Sequence, residues 1–114
     1  FRKNWAVERH GKWREPTFSS AVYPKFACGS GYIVSNKIHS WLVENKNLLQ
    51  KFQGEDVSTG IWLSGLGIIH IQDDRWRCDL SCQHNAFSVP ELNAGMVWWH
   101  WNNSKHCSSP CQPC

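Results

Sequence analysis

Glu55 and Asp56 stand side by side directly ahead of an apolar helical pattern, Val57, Ile61 and Leu66 with Trp62 beside them. A helix beginning there sets Asp56 among unbonded backbone amides, which favour an ionised carboxylate. An ionised Asp within reach of a hydroxyl can serve as a general base. The same placement also describes an ordinary helix cap. Glu55 would orient a hydroxyl or share in the capping. Hydrolysis of a glycosidic bond needs an acid and a base on opposite sides of that bond. Neighbouring side chains on one helix start do not give that separation, so such chemistry would draw on Asp73, Asp74 or Asp79.

A second cluster is Cys28-Gly29-Ser30-Gly31-Tyr32. Its glycines permit a tight turn and let a ligand approach the main chain. It lacks the further glycine of a dinucleotide fingerprint and the Lys-Ser/Thr of a phosphate loop. A nucleophilic Ser30 would need a strand-to-helix elbow, and here the serine precedes a strand-like run. Cys28 is a weak nucleophile if oxidised. The chain has six cysteines, in the pattern Cys28, Cys78-x3-Cys82 and Cys107-x3-Cys111-x2-Cys114. The x3 spacing favours disulfides over structural zinc, and the pairing is open. Asn102-Asn103-Ser104 is a glycosylation sequon, which agrees with an oxidising, lumenal setting.

The elements that must position these groups are few. The 114 residues suffice for one small domain. The net charge of +3 is mild and its Lys and Arg are scattered, which argues against nucleic acid as a partner. The eight tryptophans are the unusual feature, fit for core area or for apolar ligand platforms. Residues 1–14 could hold an edge strand, and 16–24 read as a loop. Tyr32-Ile33-Val34 has strand propensity. Ser35 predicts a helix from Asn36 to about Leu49, with Ile38, Trp41, Leu42, Leu48 and Leu49 on one side and His39 and Glu44 facing away. The Glu55-Asp56 helix should run to about Leu66, with Gly67 as its stop. Ile68–Gln72 reads as a strand ended by a turn at Asp73-Asp74. A final helix is expected over Glu91–Trp101, tied down by the cysteines beyond it. The chain starts at Phe1 without a leader-like stretch, so it is expected to be part of something longer.

Two ordered motifs carry a family resemblance: Tyr23-Pro24-x-Phe26-x-x-Gly29-x-Gly31-Tyr32-x-x-Ser35, then Gly54-Glu55-Asp56-Val57-x-x-Gly60. Together they resemble the C-terminal part of the β-1,3-galactosyltransferase-like family (glycosyltransferase family 31), from about Lys12 onward. Phe26–Tyr32, Gln53–Ser58, Gly60-Ile61-Trp62 and the two x3 cysteine pairs resemble its N-acetylgalactosamine-transferring branch. The resemblance implies an α/β fold, the C-terminal portion of a GT-A nucleotide-diphospho-sugar transferase, with a disulfide-rich tail. Residues 1–77 would belong to the catalytic domain and 78–114 to its cysteine-rich extension. It implies an inverting hexosyltransferase that moves N-acetylgalactosamine from a UDP-sugar donor to a glycan acceptor. Asp56 matches the family's proposed base and Glu55 its acceptor-side partner. Gly29, Ser30 and Gly31 match the element near the donor sugar, supported by Tyr32.

A divalent cation, usually Mn2+, would neutralise the diphosphate. The family's Asp-x-Asp ligand motif is absent, Asp73-Asp74 lies in the wrong order, and His84 is the positional candidate for a metal ligand. The parent would be a type II membrane protein of the Golgi or endoplasmic reticulum, anchored through an upstream signal-anchor. The 114 residues alone are expected to be inactive. The alternatives are a disulfide-rich carbohydrate-binding or structural module without catalysis, and a zinc-stapled interaction domain.

Overall fold

A computed structural model describes residues 1–114 as two compact units, Phe1–Gln72 and Asp73–Cys114. The expected α/β class with a GT-A sheet is overturned. The chain forms three α-helices, one 3-10 turn and three isolated β-bridges, and no strand or sheet.

The first unit shows why no ladder grows. Arg2 bridges Phe26 and Ala6 bridges Val22, both antiparallel, so the register sets Asn4 opposite Pro24. Pro24 has no N–H to donate. Asn4 sits at φ 52°, off the extended backbone a strand requires. The two bridges are therefore separated by a pair that cannot join them. Tyr32–Val34 and Ile68–Gln72 have the side chains of strands but find no partner backbone within the chain. Ile33, Ile69 and Ile71 are each at least four-fifths exposed. The second stretch is held instead by Phe1: its ammonium donates to Gln72 Oε1 at 2.7 Å, and its ring makes a T-shaped contact with His70.

Helix α1 spans Asn36–Asn45, and Ser35 Oγ accepts the Ile38 N–H at 3.3 Å as its cap. It stops short of Leu49 because Asn45 Nδ2 takes the Trp41 carbonyl at 2.8 Å and the chain tightens into a 3-10 turn over Lys46–Leu48. His39 and Glu44 are exposed as expected, whereas Leu48, expected on the apolar side, is also exposed. Helix α2 spans Glu55–Leu63 and ends before Leu66. Ser64 closes it, its Oγ donating to the Ile61 carbonyl at 2.7 Å, so Gly67 is not the stop.

The core of this unit is small: Val7, Tyr23 and Phe26, with Phe18, Val57 and Ile61 packed on it. The rings of Phe52, Phe18, Tyr23 and Phe26 contact one another in that order. Gly60 permits the approach of α2. A Cβ there would lie 2.3 Å from Phe26 Cβ and 3.1 Å from the Lys25 carbonyl oxygen.

In the second unit, helix α3 spans Ala94–His106, starting later and running further than expected. Asn93 Oδ1 accepts the Met96 N–H at 2.9 Å and so sets the start. The terminal loop folds back: the Pro110 carbonyl accepts from His100 Nδ1 at 2.8 Å and from Asn103 Nδ2 at 3.5 Å. Disulfides Cys82–Cys111 and Cys107–Cys114 lock that return. No cysteine is free, which removes the zinc-stapled alternative. Upstream, Trp76 bridges Ser88 and packs its ring against Phe87, with Arg75 over the Phe87 face.

Candidate functional site

The structure brings Asp56 and the glycine turn together in the first unit. Gly54 precedes α2 at φ 82°, a conformation suited to glycine, and places Asp56 second in the helix. Asp56 Oδ1 accepts the Val57 N–H at 2.8 Å. Asp56 is thus not the N-cap; that position belongs to Gly54, which offers no side chain. The carboxylate fits between two glycines. A Cβ on Gly29 would come within 3.0 Å of Asp56 Oδ2, and one on Gly54 within 2.7 Å of Oδ1. The free amides of the helix start add a favourable field for its charge.

The turn itself is closed by the Gly31 N–H, which donates to the Cys28 carbonyl at 3.3 Å, with Gly31 at φ 145°. Tyr32 then ties the turn to α2, its hydroxyl 3.3 Å from Thr59 Oγ1. Burial raises the Tyr32 pKa, and the nearby charges of Glu55 and Asp56 raise it further against the lowering effect of Thr59. The phenol therefore stays protonated. Ser30 is half-buried, Asp56 is half-buried and Glu55 is exposed.

Glu15 is the residue that sequence reasoning passed over. It is 2% exposed, although its surroundings in the sequence are those of a polar loop. Its Oε1 accepts from Thr17 N at 2.6 Å, Thr17 Oγ1 at 2.6 Å and Phe18 N at 3.0 Å. Its Oε2 accepts from Gln53 N at 2.7 Å, one residue before Gly54. Burial alone would raise the Glu15 pKa. The hydrogen bonds from Thr17, Gln53 and Phe18 outweigh it and hold the carboxyl at about 2, below its ordinary 4.5. Buried Ser58 completes the clamp, accepting from Phe52 N at 3.0 Å and donating to the Gly54 carbonyl at 2.8 Å. Glu15 and Ser58 thus fix the backbone that delivers Asp56. The only sequence signal for Glu15 was a carboxylate followed at once by Pro-Thr in a loop, which does not reveal a partner at Gln53.

His84 lies in the second unit and is exposed. Asp73 is held by Arg75, whose Nε donates to it at 2.9 Å and 3.1 Å, with Arg75 N at 3.0 Å. These bonds keep the Asp73 carboxyl at about 2. No group of three or more His, Cys, Asp or Glu side chains is arranged to hold a metal ion. The residues present do not fit the Mn2+ that the resemblance implies.

The chain belongs to the galactosyltransferase family, whose profile matches residues 2–74. Over 111 residues it is 47% identical to UDP-GalNAc:beta-1,3-N-acetylgalactosaminyltransferase 2 of Xenopus laevis, covering 97% of this chain and 23% of that relative. Its human counterpart is 43% identical over 112 residues, 98% of this chain and 22% of that protein. A probable beta-1,3-galactosyltransferase 1 of Arabidopsis thaliana is 30% identical over 92 residues, 79% of this chain and 22% of the relative. The chain therefore spans less than a quarter of the length of these relatives. No solved structure matches it. No helix of the chain is long and apolar enough to cross a membrane.

Proposed function

We propose that these 114 residues by themselves are a non-catalytic, disulfide-rich module of a glycosyltransferase-family protein. The observation that carries this reading is the architecture: helices and loops pinned by disulfides, without a sheet and without a metal-holding cluster. The reading is tested by mixing the oxidised chain with UDP-N-acetylgalactosamine, a glycan acceptor and Mn2+. No UDP should be released above a protein-free control, and sustained release would overturn it.

The seating of Asp56 between Gly29 and Gly54 favours a second reading, for the complete protein. There Asp56 is the base of an inverting β-1,3-transfer of N-acetylgalactosamine. Its carboxylate takes the proton of the acceptor hydroxyl, whose oxygen bonds the anomeric carbon as the bond to UDP breaks and its electron pair leaves with UDP. Glu55 orients the acceptor. Gly29, Ser30 and Gly31 pass close to the donor sugar, with Tyr32 holding the turn. His84 serves a metal only together with ligands outside this chain. The disulfides suit the oxidising lumen of the endoplasmic reticulum or Golgi, with the parent anchored to the membrane through an upstream segment. Asp56→Asn in the complete protein should abolish turnover and leave donor binding largely intact; near-normal turnover would reject the assignment.

A further inference from the structure

The second unit carries an open cavity of about 560 Å³ that no catalytic role uses. Leu80, Met96 and Trp99 supply apolar wall, Asn93 and His100 supply polar atoms, and the Cys82–Cys111 disulfide forms part of the lining. We propose that this cavity is a binding site for a pyranose ring of a glycan. The inference deepens the non-catalytic reading above and rests on it, because it gives that module a ligand class.

The chemistry is that of an amphipathic ligand. A pyranose offers an apolar C–H face and a rim of hydroxyls, and needs an aromatic plate flanked by fixed donors and acceptors. Trp99 is 41% exposed and lines the cavity. His100 meets it edge-on at 4.9 Å and steadies the ring. The Pro110 carbonyl is an acceptor only, so His100 Nδ1 is the donor in the 2.8 Å bond between them. In the neutral imidazole Nε2 is then a lone-pair acceptor, suited to a sugar hydroxyl. Asn93 Oδ1 is occupied by the Met96 N–H, which leaves its amide hydrogens as donors. Acceptor, donor and aromatic plate thus line one cavity, on a helix start fixed by its cap and under a loop fixed by a disulfide. The volume lies within the range of small-molecule sites and accommodates a sugar ring with water.

The test is two-dimensional NMR of the 15N-labelled oxidised chain titrated with N-acetylgalactosamine, N-acetylglucosamine and galactose. At least one sugar should give saturable shifts confined to the Asn93–His100 segment and the Trp99 indole N–H. Trp99→Ala should weaken that response at least tenfold. His100→Asn keeps a donor for the Pro110 carbonyl and removes Nε2; it should also weaken binding, and His100→Gln should weaken it less. Trp13→Ala, at a half-exposed tryptophan of the first unit, should change nothing. Absence of shifts with all three sugars, or equal shifts at Trp13 and Trp99, would overturn the site. Persistence of the response in a folded Trp99→Phe variant with unaltered affinity would overturn the indole's part in it. Sugar transfer by the chain would sink the non-catalytic reading while leaving these shifts in place, so the two failures are distinguishable.

Discussion

The two units solve the same problem by different means. The first, Phe1–Gln72, closes around an apolar cluster and a buried carboxylate that gathers backbone from residues 17, 18 and 53. The second, Asp73–Cys114, buries none of its large apolar side chains and leaves Trp98, Trp99 and Trp101 41% or more exposed. Disulfides take the place of a core there, as in small domains that cannot bury enough area. The difference teaches where each unit is vulnerable. The first is vulnerable chiefly through packing and protonation, although its Cys28 is also disulfide-bonded, and the second chiefly through reduction.

Reduction should separate them most widely. Closing the loop between Cys82 and Cys111, 29 residues apart, is worth about 3–4 kcal/mol of chain entropy, and the short Cys107–Cys114 loop about 2.5 kcal/mol. A reductant titration followed by hydrogen exchange should release amides of α3 before those around Phe26. Simultaneous release would show that the units do not differ in this way.

Glu15→Gln comes next. Its neutral side chain has a single oxygen for the donors that two carboxylate oxygens now serve, so Gln53 N–H or the Thr17 groups lose their partner. The cost is about 2–3 kcal/mol, seen as a lower urea midpoint for the first unit. The pH dependence follows from the same residue. Glu15 has its folded pKa depressed to about 2 from 4.5, so its contribution is complete above about pH 4.5 and fades as pH falls towards 2. Acid titration of the wild type should weaken the first unit across that window, and Glu15→Gln should flatten the response. An unchanged acid profile in the variant would remove Glu15 as its source.

How much of this was legible in the sequence depends on how local its cause is. Ser35 and the Glu55-Asp56 pair announced their helices because caps and helix-start charges act within one turn. The approach of Asp56 to Gly29 was not legible, because the two motifs give chain order and not the distance between them. The strands at Tyr32–Val34 and Ile68–Gln72 failed because propensity supplies half a ladder and the partner must come from elsewhere. Asn4 opposite Pro24 could not be seen before the register was known. Glu15 and His100 escaped for a related reason: each is defined by a partner distant in sequence, Gln53 in one case and Pro110 in the other.

Gly60→Ala should have the smallest effect, confined to the first unit. The new methyl would press on Phe26 and the Lys25 carbonyl, and α2 must shift outward. We expect a loss of about 1–3 kcal/mol by denaturant unfolding, with α3 amides untouched. A neutral result would mean that α2 packs less closely than described.

The central claim is that this chain supports no sugar transfer by itself. The most direct measurement is the mass of a glycan acceptor after incubation with the oxidised chain, UDP-N-acetylgalactosamine and Mn2+. The account predicts an acceptor of unchanged mass at every concentration of the chain. An acceptor heavier by one N-acetylhexosamine residue, in an amount that scales with the chain and disappears in Asp56→Asn, would contradict it.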